Sequence, residues 1–161
     1  MTIGGATVTD LTMRLSANFT LGELIRSETA ARKGIRNVPR QAEIAALRLL
    51  CEKVLQPVRD HFGRPVIITS GYRSPRLNTA IGGSPSSQHC WGEAVDFTVV
   101  GQSNIEVCRW IERTLPYDQL IYEYGESGWI HASLSAHRQR KQVLSAKRIA
   151  GRTQYLTGLR A

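Results

Sequence analysis

Residues 87–99 read Ser87-Gln88-His89-Cys90-Trp91-Gly92-Glu93-Ala94-Val95-Asp96-Phe97-Thr98-Val99. From Ala94 onward the stretch alternates: Val95, Phe97 and Val99 point one way, and Ala94, Asp96 and Thr98 the other. That is the period of a strand with one face on an apolar layer. Asp96 is therefore expected on the face turned away from the core. His89 stands seven residues earlier, just after a Ser-rich loop. A short turn through Gly92 lets the His89 and Asp96 side chains converge.

Upstream, the β-branched run Val66-Ile67-Ile68-Thr69 after Pro65 reads as a buried strand. Ser74-Pro75 then supplies a cap and a first-turn proline for a short helix through Ile81, and Gly82 to Ser87 is a loop. Beyond Pro39, Ile44, Leu47, Leu50, Val54, Leu55, Val58 and Phe62 recur at spacings of three and four. They predict an amphipathic helix that ends at Gly63 and bends at Pro57. Thr20 with Glu23 forms a capping box for another short helix. Residues 1–18, rich in Thr and Gly without a sustained period, read as a flexible arm, and the single domain is expected over residues 19–161.

Downstream, Ser103 with Glu106 is a second capping box, opening a helix that runs to about Leu115 before Pro116. Asp118 to Tyr124 and Trp129 to Leu134 read as a β-hairpin. A last hairpin runs from Lys141 through Gly151 to Leu156. It belongs to a basic segment beginning near residue 138, with Arg138, Arg140, Lys141, Lys147, Arg148 and Arg152. Helices early and strands later give an α+β class, expected as an antiparallel sheet with helices packed on one side.

Composition excludes several classes. The 161 residues are 42% hydrophobic, enough to fold, and no apolar run approaches the roughly 20 residues of a membrane span. Three cysteines without a C-x-x-C pair argue against a disulfide framework and against a thiolate zinc site. The N-terminal residues lack the basic start and apolar core of a secretory signal, so synthesis and retention in the cytoplasm are expected. The 21 Lys and Arg outnumber the 13 Asp and Glu, for a net charge of +8. Such a charge attracts an anionic partner, whether nucleic acid, membrane surface or acidic wall polymer, without choosing among them.

A hydrolytic zinc site wants three ligands from His and Asp or Glu, with a fourth position open. Of the four histidines, His61 ends the long helix, where a cation suits the helix dipole, and His137 belongs to the basic tail. His89 and His131 remain, with Asp96 as the carboxylate. The spacing of His89 and Asp96 alone suits an ordinary hydrogen-bonded histidine equally well.

The surrounding residues decide between these readings. Ser70-Gly71-Tyr72-Arg73-Ser74, Leu77-Asn78, Gly82-Gly83-Ser84, Ser87-Gln88-His89 through Asp96, and Trp129-Ile130-His131 together resemble the M15 family of zinc peptidases. That group comprises D-Ala-D-Ala carboxypeptidases and peptidoglycan L,D-endopeptidases, marked by S-x-H-x-x-G-x-A-x-D and a late W-x-H. The resemblance extends over about Asn18 to Ser133, including Asn18-Phe19-Thr20-Leu21 and Leu55-Gln56-Pro57-Val58-Arg59. It implies a hedgehog-like zinc fold, one Zn²⁺ held by His89, Asp96 and His131, and Arg73 in the cleft as a catalytic and substrate-binding residue, with Ser87 and Trp129 also contacting substrate. The implied activity is hydrolysis of an amide bond in peptidoglycan peptides, with no specific nucleic-acid partner and no membrane insertion. The basic segment is expected to hold a monomer near anionic wall or membrane. A missing export signal beside an external substrate suggests a phage- or prophage-derived lytic or virion-associated enzyme acting on the cell wall. The alternative is a non-catalytic zinc-containing wall-binding or virion module on the same fold.

The general base departs from the pattern. Many members carry an acid three positions before the last His, where this chain has Gly128. If the turn is Glu126-Ser127-Gly128, then Gly125 pairs with Trp129, Tyr124 with Ile130 and Glu123 with His131, which makes Glu123 the expected base. A register change of one residue would turn Glu123 to the other face and favour Glu126.

Overall fold

The computed structural model of the chain describes residues 9–161. Of the expected arm, residues 1–8 lie outside the described residues; the remainder is not an arm. Strand β1 (Arg14–Ser16) pairs antiparallel with β2 (Phe19–Thr20), and Leu15 and Phe19 are each 1% exposed. The Thr- and Gly-rich composition hid one apolar side chain every few residues, which is enough to dock a short strand.

Thr20 opens α1 (Leu21–Ile25) with both halves of the expected capping box: its Oγ1 accepts from the Glu23 amide, and the Glu23 carboxylate accepts from the Thr20 amide at 2.8 Å. After α2 (Glu28–Lys33), the long amphipathic stretch forms α3 (Gln41–Leu50) and α4 (Gln56–Phe62), joined by a π-helical segment at Cys51–Leu55. The expected bend at Pro57 is thus a widened turn just before it. Pro57 lacks an N–H and its ring crowds the carbonyl four residues back; the Gln56 N–H reaches five residues back to the Cys51 carbonyl. Gly63, with φ of 61°, ends the helix as expected.

The main sheet contains β3 (Val66–Ser70), β4 (Ala94–Val99), β5 (Gln119–Glu123), β6 (Trp129–Ser133), β7 (Gln142–Ile149) and β8 (Arg152–Thr157), in the spatial order β3-β4-β6-β5-β7-β8. Between them lie α5 (Pro75–Ala80) and α6 (Asn104–Thr114). Val95 and Phe97 of β4, Ile130 and Ala132 of β6, and Leu120 of β5 are fully buried with Leu50, Val54, Leu55 and Val58 below the sheet and Val107 and Ile111 of α6. Each large aliphatic buried there contributes roughly 1.5–3 kcal/mol before its ordering entropy is subtracted. Because side chains alternate, this apolar layer forces Asp96, Ile121, Glu123 and His131 onto the opposite face. No helix among the described residues is long and apolar enough to cross a membrane. Cys51, Cys90 and Cys108 are all free thiols, and burial pushes the Cys51 thiol up to about 12.

The α+β class is as expected, but the sheet is mixed rather than antiparallel: β7 runs parallel to β5, with Leu120 opposite Val143 and Glu123 opposite Ala146. The connection 134–141 carries the chain from β6 past β5, and Asp118 fixes where it lands. This carboxylate, 0% exposed, accepts from the Arg140 amide at 2.8 Å, from its Nε at 3.0 Å and from its Nη2 at 2.9 Å. The Asp118 carbonyl accepts from the Gln142 amide at 3.0 Å, and Lys141 Nζ donates to the Leu115 carbonyl at 2.8 Å. This clip aligns the starts of β5 and β7.

Replacing Asp118 with Ala should cost about 2–3 kcal/mol in urea unfolding, since it removes three hydrogen bonds to a charged group. Burial alone would raise the Asp118 pKa, but Arg140 outweighs it and holds the carboxyl below its ordinary value. Stability contributed by a depressed carboxylate is complete above its unfolded pKa and lost as pH falls through the folded one. The gap between wild type and Asp118→Ala should therefore be constant near neutrality and shrink in acid; a gap that widens in acid would contradict the clip.

Candidate metal centre and its cleft

Strands β4 and β6 pair so that Asp96 lies directly opposite His131, and both side chains leave the sheet on the face opposite Val95, Phe97, Ile130 and Ala132. His131 Nδ1 is 2.9 Å from Asp96 Oδ1. His89 arrives from outside the sheet, on a 3-10 turn at Gln88–Trp91 that Ser87 opens by accepting from the His89 amide. Gly92 closes this turn at φ +70°, and a Cβ there would sit 2.5 Å from the Glu43 carbonyl oxygen and 3.2 Å from Leu47 Cγ. Only glycine permits both the left-handed backbone and this approach to α3. The turn is thereby pressed onto the helix and His89 is aimed at Asp96.

The His89 ring is fixed from behind. A carbonyl only accepts, so Nδ1 carries the proton and donates to the Gly71 carbonyl at 2.8 Å. The lone pair of Nε2 is left facing Asp96 Oδ2 at 3.4 Å. Burial lowers the His89 pKa against the opposing pull of Asp96, which favours a neutral imidazole. Burial works against the Asp96 charge as well, yet the neighbouring histidines outweigh it and hold that carboxyl well below the usual carboxylate range.

The donor atoms of His89, Asp96 and His131 lie within 4.8 Å of one another. Two imidazole nitrogens and one carboxylate oxygen are the donors of a three-ligand zinc site with a position left for solvent or substrate. The backing of His89 by a main-chain carbonyl is the orienting contact that metal-bound histidines use. By the chemistry of these donors, the three residues fit Zn²⁺.

They lie in a cleft of about 690 Å³ whose lining includes Arg73, Ser87, Ile121, Glu123, Trp129 and Tyr155. Arg73 donates from Nε to Ser70 Oγ at 3.2 Å and from Nη1 to Asn78 Oδ1 at 3.4 Å, while its Nη2 stands 3.5 Å from Asp96 Oδ2. Trp129 rests beside Tyr124, with ring centroids 5.4 Å apart. Trp91, two residues after His89, is 57% exposed and lies outside this cleft.

Glu123 is on the expected face, but the register differs from the one expected. Ile121, not Glu123, lies opposite His131, and Glu123 lies opposite Trp129. The turn is longer than a tight hairpin: Tyr124 takes a left-handed φ of 60° and Gly125–Ser127 form a 3-10 turn. The shift moves Glu123 by a whole period of two, so it stays in the cleft. It is 8% exposed, with no side-chain hydrogen bond or ion pair among the described residues. Burial pushes its carboxyl up to about 6, with His131 pulling the other way and Asp96 adding to the rise.

Glu126 is engaged elsewhere. Its oxygens accept from the Asn104 amide at 2.7 Å, the Ile105 amide at 3.0 Å and the Tyr122 hydroxyl at 2.5 Å. It caps α6 from a distant turn, supplying the acceptor that the expected capping box lacks. Ser103 does accept from the Glu106 amide, but Glu106 pairs with Arg109. At Gly128 a Cβ would lie 1.8 Å from the Glu123 carbonyl oxygen, so this turn excludes any side chain where the motif more often has an acid.

Among the cleft residues that escaped the sequence, Tyr155 comes from β8, which extends the sheet beyond β7, and Arg138 and Arg140 come from the connection 134–141 that leads into β7. Their one visible signal was the basic composition of that segment.

The family model for Peptidase M15 matches residues 17–133, which takes in all three donors and ends with β6. Among curated proteins, none matches the chain.

Gly92→Ala should weaken Zn²⁺ binding by roughly 10–100-fold, the usual cost of disturbing what orients a ligand. Competition with a chromophoric chelator measures this directly. Unchanged affinity would mean that the contact with α3 does not position His89.

Proposed function

The chain belongs to the peptidase M15 family, and on that premise we propose that it is a zinc-dependent hydrolase of amide bonds in peptidoglycan peptides. The observation that carries this reading is the convergence of His89, Asp96 and His131 in a cleft that also holds the unengaged carboxylate of Glu123. A Zn²⁺ ion held by those donors supplies Lewis acidity toward water and toward an amide carbonyl.

The chain's own groups account for the proton movements. Glu123 accepts a proton from the attacking water as its oxygen bonds to the amide carbon, then delivers it to the leaving nitrogen as the C–N bond breaks. A carboxyl near the middle of its two tasks, ionised at neutral pH yet more basic than an exposed one, suits both steps. Arg73, braced by Ser70 and Asn78, presents its remaining N–H groups to the carbonyl oxygen, where negative charge develops. Ser87 and Trp129 border the space where the peptide lies. No covalent enzyme intermediate is involved.

Glu123→Gln should lower turnover of purified muropeptides by about 10²–10⁴-fold while leaving bound zinc at the wild-type level. Mass analysis of the digest with metal content measured alongside checks both. Chelation should abolish wild-type cleavage and Zn²⁺ restore it. A Glu123→Gln protein as active as wild type would remove Glu123 from this role. Wild-type protein that binds duplex DNA with steep salt dependence, and cleaves nothing, would replace the reading with a nucleic-acid one.

A further inference from the structure

The cleft has a second cationic wall, contributed by chain that lies outside the family match. Arg138, Arg140 and Tyr155 border the same space as the three donors, and all three come from residues 134–161. Their commitments differ sharply. Arg140 spends its Nε and Nη2 on Asp118. Arg73, on the opposite wall, stands against Asp96. Arg138 makes only a 3.9 Å approach from Nε to the same Asp118 oxygen that already accepts two hydrogen bonds from Arg140, and its side chain is 61% exposed. Among the described residues it is the cleft arginine whose charge has no close partner. Tyr155, 56% exposed, presents an aromatic surface to the same space.

We propose that Arg138 forms a carboxylate-binding subsite that selects peptides carrying a free carboxylate on the side of the cleft bordered by the 134–141 connection. This rests on the peptidase reading and adds to it the feature of substrate that the second wall recognises. A guanidinium grips a carboxylate through two parallel N–H bonds, and the clip through Asp118 and Arg140 fixes the segment from which Arg138 projects. Because Arg138 touches neither the metal donors nor Glu123, its contribution is to binding.

The test compares wild type, Arg138→Gln and Arg138→Lys on purified muropeptides and on the same muropeptides with their carboxylates converted to amides. Arg138→Gln should raise KM for the free acids roughly 10-fold with kcat within about 2-fold, the loss of one charge-assisted pair, and Arg138→Lys should recover part of it. The amidated peptides should be poor for wild type and insensitive to the substitution. Equal KM effects on acid and amide, or none on either, would overturn the subsite. Should wild type cleave no muropeptide, the peptidase reading fails. Equilibrium binding of the same acid and amide pairs to wild type and Arg138→Gln then still decides the subsite.

Discussion

The pairing of Asp96 with His131 across β4 and β6 is the constraint on which the rest depends. Two strands offer a metal site only if both donors leave the same face at the same rung of the ladder. A slip of one residue would send one of them into the helices. What holds the rung is the other face. Val95, Phe97, Ile130 and Ala132, all 0% exposed, would be carried to the solvent-facing side of the sheet by such a slip. The hydrophobic energy that drives folding therefore also sets the position of a polar pair that it never touches.

His89 could not be placed by the same means, because it is not in the sheet. Its position depends on backbone contact instead: Gly92 against the Glu43 carbonyl, Gly71 against the Leu24 carbonyl, and the bond from His89 Nδ1 to the Gly71 carbonyl. Each of these glycines is packed more closely than any Cβ allows. Rigid main-chain atoms thus fix a candidate ligand that an exposed loop would leave loose. The cost of burying the Asp96 carboxylate is offset locally by the His131 Nδ1–H at 2.9 Å and the Arg73 guanidinium at 3.5 Å.

What was legible in the sequence was local. Alternation in residues 94–99 gave the face of Asp96, Thr20 with Glu23 gave a helix start, and Gly63 gave a helix end, because each depends on neighbours in the chain. The parallel pairing of β5 with β7 was not legible. It depends on Asp118 and Arg140, 22 residues apart, and nothing in either residue alone reveals the partner. The same is true of Glu126, which the sequence offered as an alternative base while its contacts are set by the distant start of α6. The π-helical segment was half legible: Pro57 announced a disturbance but not whether the helix would kink or widen. Leu15 was missed for a simpler reason, since a strand of three residues has too few positions to display a period.

The place of Glu123, the proposed base, follows from the turn between β5 and β6. An acid at position 128 would need a Cβ where the Glu123 carbonyl oxygen already lies, so the turn that this chain adopts forbids it. That turn in turn requires Tyr124 in the left-handed region and sends Glu126 to the α6 amides, which removes the other nearby carboxylate from the cleft. Glu123 remains, the last residue of β5, on the same face as His131 and two residues beyond its cross-strand partner Ile121. One backbone choice thus accounts for the missing acid at 128, for the engagement of Glu126 and for the availability of Glu123. On the proposed reading, the departure from the usual motif is a relocation of the carboxylate across the hairpin, from the turn before β6 to the end of β5.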